Sequence, residues 1–403
     1  MQLSTDSEAI VRATAGVVAS HADEITTLFY RRMFEAHPEL LNVFNRAHQA
    51  QGDQPKALAA SVVAFAVHLI DPDAPDFSPV MRRIAHRHVS LGVSARQYTI
   101  VGRYLLAAVD EVLGEAVTPA VHAAWDEVYW LFGCSLIAEE ARLYAEAGTD
   151  PDHPWRPHRV IERVEEARDV ISLVLEPVDG QRAPHRTGQY VAVAVDLPDG
   201  TRQPRQYTIS SSAPGAALRV TVKRVRGVDG APDGQVSTWL HENAQVGTVL
   251  DVSQPAGDLL LDDSDDALVL ISAGIGITPV AAMVDDLAQR RPDRPVHLFH
   301  VDREPDTHAL VSAVRGRAQH LSDVRALTWY TAGVEEGPSV RSGRMDLAGI
   351  DLPPTARVFL CGPLSFMQAV RGALTARGIE PDRIDYEVFG PDLWARRPES
   401  GAA

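Results

Sequence analysis

The sequence predicts a multidomain protein of three successive fold classes: an all-α domain, an antiparallel β-barrel, and an α/β domain on a parallel sheet. Three observations carry this. Apolar residues recur at helical spacing up to about residue 148, then alternate with period two to about 262. Beyond that they form continuous apolar runs separated by helices. At 403 residues the chain is also too long for one compact core.

In the first part, Thr5 and Glu8 have the spacing of a capping box ahead of Ile10, Val11, Val17 and Val18. Further helices are expected over Ala57–Ile70, Phe77–Ser90, Ala95–Leu113 and Ala120–Ala147. Asp71-Pro72-Asp73-Ala74-Pro75 and Thr118-Pro119 interrupt them, because proline lacks a backbone donor. Gly148–Trp155 reads as a linker. In the second part, Ile171, Leu173 and Leu175 share one strand face. So do Val191, Val193 and Val195 before the turn Pro198-Asp199-Gly200, and later Leu218, Val220 and Val222. In the third, Leu268–Ser272 is apolar enough for a strand buried on both faces. A glycine loop, helix Val280–Ala288 and strand Val296–His300 follow. Strands Ala326–Tyr330 and Val358–Leu360, with helix Phe366–Arg377, complete an open parallel sheet.

Composition limits function. The apolar share of 45% and charged share of 23% suit a globular protein. With 38 basic against 54 acidic residues the formal charge is −16, which disfavours sequence-independent binding to nucleic acid or anionic membranes. Cys134 and Cys361 form no zinc or C-x-x-C pattern and are expected as reduced thiols. No leader peptide is visible, and no run of about 18 apolar residues could span a bilayer. A cytoplasmic protein without stable membrane insertion is expected.

Candidate sites occur in each part. Ile84, His88 and Leu91 share one helix face, whereas His86 is turned by about 200° from His88. A histidine on an apolar face is either a satisfied core residue or, through a neutral ring nitrogen, an axial haem ligand. Tyr30 lies on an amphipathic helix, Phe44 near a helix corner, and Gln54 and Leu58 one helical turn apart. In Arg205-Gln206-Tyr207-Thr208-Ile209-Ser210 a cation suits a pyrophosphate, an aromatic suits a flavin ring or ribose, and a hydroxyl suits ring hydrogen bonds. Gly274-Ile275-Gly276-Ile277-Thr278-Pro279 follows the first parallel strand. Its glycines permit close approach to phosphate, with Thr278 as an expected N-cap and Pro279 as first helical residue. It is not G-x-G-x-x-G, because Pro279 stands at the last glycine.

Residues 1–147 resemble, in order and spacing, the bacterial globin domain of flavohaemoglobins. The resemblance implies haem b on His88, with Phe44 packed on it and Tyr30, Gln54 and Leu58 on the distal side. Tyr30 would donate a hydrogen bond to O2, and Gln54 would support it. Gln97-Tyr98-Thr99-Ile100-Val101-Gly102 and Ile137-Ala138-Glu139-Glu140-Ala141 resemble the proximal motifs, which implies a relay of Tyr98 and Glu140 beside His88. The resemblance implies redox tuning by Arg87 and Glu387; Arg87 stands where family members often carry lysine, which preserves the charge but changes the geometry.

Residues 155–262 resemble the ferredoxin-reductase-like FAD domain. The resemblance rests on Thr187-Gly188-Gln189-Tyr190, the Arg205–Ser210 segment, Gly234-Gln235-Val236-Ser237-Thr238-Trp239-Leu240 and Pro255-Ala256-Gly257-Asp258. It implies FAD, with Tyr190, Arg205, Gln206, Tyr207 and Thr208 in contact; the residues alone admit FMN as well. Residues 266–397 resemble the partner NAD(P) domain through Gly274–Pro279, Cys361-Gly362-Pro363 and Tyr386-Glu387-Val388-Phe389-Gly390-Pro391. There Cys361 would lie near the hydride path, and Phe389 would cover the flavin ring. Acidic Asp302 and Glu304 favour NADH, while Arg303 leaves NADPH open.

Together these imply an NAD(P)H-dependent nitric oxide dioxygenase acting on O2 and NO, with no obligate protein partner. The competing readings are a flavohaemoglobin fed by another donor, such as a hydroxy acid, and a haem-based O2 or NO sensor. Intact nicotinamide motifs speak against the former, and a sensor would not need reductase domains.

Overall fold

The computed structural model describes residues 2–43, 53–181, 184–212, 217–227 and 230–389, with backbone only for 53–57. Two compact units result: Met1–Pro154 with Pro198–Pro204, and Trp155–Leu197 with Arg205–Phe389. Among the described residues, no helix is long and apolar enough to cross a membrane.

The first unit is helical: α1 Thr5–Ser20, α2 Ala22–Ala36, α3 Asp53–Ile70, α4 Ser78–Leu91, α5 Ala95–Leu113 and α6 Pro119–Ala147. The expected capping box is corrected. Ser4, in extended conformation, is the N-cap and accepts from the Ser7 N–H, while Thr5 is already helical. Thr118 caps α6 by accepting from Val121 N–H, with Pro119 in the first turn, where its missing donor costs nothing. Val11, Phe29, Met33, Ala85, Val128 and Leu136 form a core at 0–1% exposure. The end of α4 matters most for the site. Gly92 takes the left-handed conformation (φ 73°), and the amides of Gly92 and Val93 donate to Val89 and His88 carbonyls. The chain then reverses into α5, whose start is fixed by Gln97 Oε1 accepting from Ser94 N–H at 3.0 Å.

The second unit holds two sheets. The antiparallel one comprises β1 Trp155–Ala167, β2 Val170–Pro177, β3 Tyr190–Asp196, β4 Arg202–Thr208, β5 Leu218–Lys223 and β6 Val249–Ser253, in the order β4-β3-β6-β1-β2-β5. The outer strands approach each other beyond β4, where Ile209 bridges Val220 and Ser210 N–H donates to Arg219 at 2.8 Å. Ile171, Leu173 and Leu175 are fully buried, as their period-two spacing predicts. In β3 the intervening Ala192 and Ala194 are buried too, so that strand is covered on both faces. Helix α7, Gln235–Asn243, lies between β5 and β6 in sequence.

The parallel sheet comprises β7 Leu268–Ala273, β8 Val296–Asp302, β9 Val324–Tyr330, β10 Val340–Ser342, β11 Arg357–Cys361 and β12 Ile384–Glu387. Helices α8 Ile277–Arg290, α9 Val311–Ala318 and α10 Leu364–Thr375 connect them. The order is β10-β9-β8-β7-β11-β12. Succession runs outward from β7 through β10 and then jumps to β11 on the other side. In such sheets ligands bind outside the carboxyl ends of the strands where the order reverses, here between β7 and β11. The expected cap of α8 is also corrected. A 3-10 turn over Gly274–Gly276 runs directly into the helix, so Gly276 takes the cap position. Thr278 lies inside the first turn and donates back to Ile275 O at 3.0 Å.

Candidate functional site

Three helices converge on His88. Its Nδ1 lies 2.7 Å from Glu140 Oε1 on α6 and 2.9 Å from Tyr98 Oη on α5. Tyr98 donates its own hydroxyl to the same Glu140 oxygen. Burial, and then the Glu140 carboxylate, push the Tyr98 phenol pKa well up, so Tyr98 stays a donor. A carboxylate only accepts, so His88 must present N–H at Nδ1. The proton placement leaves the lone pair on Nε2, the state a metal ligand requires. The donor set therefore fits haem iron on His88. Glu140 is 3% exposed, whereas a lone helical glutamate would face water.

Tyr129, which sequence reasoning missed, supports this arrangement. Its hydroxyl donates to the Tyr98 carbonyl, and its ring lies where a Cβ at Gly102 would be. Tyr129 also lines an apolar cavity of about 40 Å³ with Leu58, Ile25, Val62, Leu105 and Trp125. Lining this apolar stays dry. Tyr30 is 6% exposed, between the rings of Phe29 and Phe34 at 4.6 and 5.6 Å. Phe44 lies outside the described residues, as does the side chain of Gln54, whose backbone belongs to α3. Arg87 is half-buried on α4.

In the second unit, Tyr190 and Thr208 are buried at 8% and 5%, and Arg205, Gln206 and Tyr207 are partly buried. Burial pushes the Tyr207 phenol up and the Arg205 guanidinium down. Tyr190 pairs with Ala256 through two backbone hydrogen bonds of 2.8 Å, which joins two of the flavin-type segments. The third segment forms α7. Its cap, Gly234, has no side chain to satisfy the first amides, and Thr238 Oγ1 is buried with no hydrogen-bond partner among the described residues. Orphaned donors at a helix N-terminus suit a pyrophosphate, so the residues fit a flavin dinucleotide.

The crevice between β7 and β11 is built for close backbone approach. Gly274 supplies a left-handed turn (φ 53°), and a Cβ at Gly276 would lie 2.3 Å from the Cys361 carbonyl. A Cβ at Gly362 would lie 3.0 Å from both Ala273 and Phe366, and Pro363 caps α10. Ile275 is half-buried and Ile277 and Pro279 are buried behind the loop. These features fit a nicotinamide dinucleotide. Cys361 lies opposite Glu387 in the β11/β12 register. Burial, then the Glu387 charge, keep its thiol protonated. Glu387 and Val388 are buried, whereas Phe389 is 47% exposed; Gly390 and Pro391 lie outside the described residues.

At the end of β8, Ser272 Oγ meets His300 Nδ1 at 2.8 Å, and His300 stacks on His308 with centroids 4.2 Å apart. Asp302 accepts from Arg303 N–H and Thr307 Oγ1 at 2.7 and 2.6 Å. Burial opposes its ionisation, but hydrogen bonds from His300, Thr307 and that amide pull its pKa down to about 2. This network fixes the loop after β8.

A helical unit with a poised histidine, joined to flavin and nicotinamide sites, defines a haem and flavin oxidoreductase. The globin family profile matches residues 27–133, and the oxidoreductase NAD-binding domain profile matches 270–372. The flavohemoprotein of Chromobacterium violaceum is 42% identical, covering 96% of this chain and 98% of that protein. That of Deinococcus radiodurans is 39% identical over 96% and 97%. The crystal structure of Malassezia yamatoensis flavohemoglobin, with bound FAD and heme, superposes with TM-score 0.88 at 36% identity, covering 97% and 100%. The FAD/NAD-binding domain of Vibrio cholerae nitric oxide dioxygenase matches with TM-score 0.55 at 34% identity, covering 59% and 99%. The chain belongs to the flavohaemoglobin family.

Proposed function

We propose that this protein is a nitric oxide dioxygenase, converting NO and O2 to nitrate with electrons from a reduced nicotinamide. The observation that carries this is the locked His88 in a chain that also holds an intact dinucleotide crevice. When bound, FAD divides a two-electron hydride into single electrons, and haem supplies the centre where O2 meets NO. The chain's residues do the rest. Tyr30 would offer its hydroxyl to O2 from an apolar surround, with Leu58 on the same distal side; the family resemblance assigns Gln54 and Phe44 to that site as well. Tyr98 and Glu140 hold the His88 proton and enrich the opposite nitrogen. Arg205 and the α7 amides anchor the flavin pyrophosphate; Tyr190, Gln206, Tyr207 and Thr208 orient the ring. Cys361 and Glu387 border the hydride path, and Phe389 covers the flavin until nicotinamide arrives. The reaction uses only small molecules, and the protein works in the cytoplasm. NADH is the favoured donor, because the acidic Asp302 and Glu304 that follow β8 disfavour a 2′-phosphate, although Arg303 between them could attract one.

Tyr30→Phe tests the distal role. A hydrogen bond to partly charged O2 is worth about 1.5–3 kcal/mol, so O2 should leave roughly tenfold to a hundredfold faster. An unchanged O2 dissociation rate would remove Tyr30 from the pocket. Glu140→Gln tests the proximal relay. It keeps the shape but deletes the charge that accepts the His88 proton. The haem potential should rise and the iron–histidine stretching frequency should fall. Wild-type values of both would reduce Glu140 to a structural residue.

A further inference from the structure

Helix α8 carries the dinucleotide loop at its N-terminus and two consecutive buried carboxylates in its middle, Asp285 and Asp286, each 8% exposed. Neighbouring residues on a helix point about 100° apart, so the pair can grip two separate partners. Asp286 Oδ1 accepts from Thr187 Oγ1 at 3.1 Å, and Arg290 holds the same carboxylate at 2.9 and 2.5 Å. Asp285 Oδ2 accepts from the N–H and hydroxyl of Ser212 at 3.1 and 2.9 Å. Its other oxygen takes Arg317 at 2.8 Å and Gln289 at 3.2 Å. Thr187 and Ser212 are not arbitrary surface points. Thr187 lies three residues before Tyr190, and Ser212 four after Thr208. Their segments lead into and out of the flavin-facing strands. The Thr187 carbonyl is also fixed, accepting from Leu261 N–H at 3.1 Å.

We propose that Asp285 and Asp286 are positioning residues for hydride transfer, clamping the nicotinamide-bearing helix to both flavin-bearing segments. The inference rests on the flavin and nicotinamide reading above. In the step concerned, the C–H bond at nicotinamide C4 breaks and an N–H bond forms on the flavin ring. Both electrons pass to the flavin, and oxidised nicotinamide leaves. Donor and acceptor are carried by different sheets, so their spacing depends on what ties those sheets together. Two acids on one helix do so without touching either ring. Their carboxylates are held by Arg290 and Arg317, which compensates the cost of burying them. Small displacements at a reacting pair lower rates steeply.

The test is anaerobic flavin reduction in the full chain, followed at increasing NADH for wild type, Asp285→Ala, Asp286→Ala and the milder Thr187→Val and Ser212→Ala. The limiting reduction rate should fall about tenfold to a hundredfold in the aspartate variants, while the NADH dissociation constant changes by less than about threefold. Thr187→Val should lower the rate in the same direction, and adding it to Asp286→Ala should cause no further loss, because both remove one contact. Amide exchange of the flavin-free protein gives a second readout: Ser212 N–H should exchange faster in Asp285→Ala. Unchanged limiting rates in the variants, additive effects of Thr187→Val and Asp286→Ala, or unchanged Ser212 exchange would each overturn the clamp. Failure of NADH to reduce the wild-type flavin would instead overturn the reading on which it rests.

Discussion

His88→Ala is expected to yield a protein that keeps FAD and reduces it with NADH, yet holds no haem and consumes no NO. Nδ1 is committed to Glu140 and Tyr98, so Nε2 is the metal-binding atom and alanine supplies no substitute. The variant also leaves the buried Glu140 carboxylate with one donor fewer, a cost of about 1–3 kcal/mol to the helical unit. The flavin and nicotinamide residues lie in the other compact unit, so their chemistry should survive. Soret absorbance per chain, flavin content and anaerobic flavin reduction measure all three outcomes. Free imidazole should partly restore haem binding by occupying the vacated ligand position. Retention of haem with an unchanged iron–histidine stretch would assign the ligand elsewhere.

The second large effect is expected at Arg205. This guanidinium is desolvated enough to lower its pKa, a position that favours a bound anion. A hydrogen bond to a charged group contributes about 1.5–3 kcal/mol, so Arg205→Ala should weaken FAD binding roughly tenfold to 150-fold. Arg205→Lys keeps the charge but loses the planar fork, and should fall between the two. Fluorescence titration of the flavin-free protein measures this directly. An unchanged FAD dissociation constant in Arg205→Ala would place the pyrophosphate elsewhere, with α7 and Thr238 as its remaining anchors.

The long elements were legible because burial imposes a period. Helices α5 and α6 differ from expectation by at most one residue at either end, since caps and proline mark them. Helix α8 starts three residues before the expected Val280, because a 3-10 turn continues the glycine loop into it. Short α9 was not foreseen: it buries no residue fully, so it carries little periodicity. Strand β10 spans three residues, too few for alternation. The site was legible in part. His88 announces itself by its apolar face, but its partners are 10 and 52 residues away. Glu139 and Glu140 are indistinguishable in composition, yet one pairs with Arg142 at the surface and the other is buried under His88. Only a family resemblance or a fold separates them. The same holds for Asp285 and Asp286, whose partners Ser212 and Thr187 lie 73 and 99 residues away.

On the proposed function, one nicotinamide hydride drives NO oxidation through flavin to the globin site. Each turnover consumes one electron and a hydride carries two, so the nitrate formed per nicotinamide oxidised is fixed by electron counting. The most direct measurement follows nitrate, O2 and NADH together while NO is added to the full chain carrying both cofactors. Two nitrates should form per NADH, with no sustained consumption of NO when NADH is withheld. NADH oxidation without nitrate, or sustained nitrate formation without a nicotinamide, would contradict the proposed function.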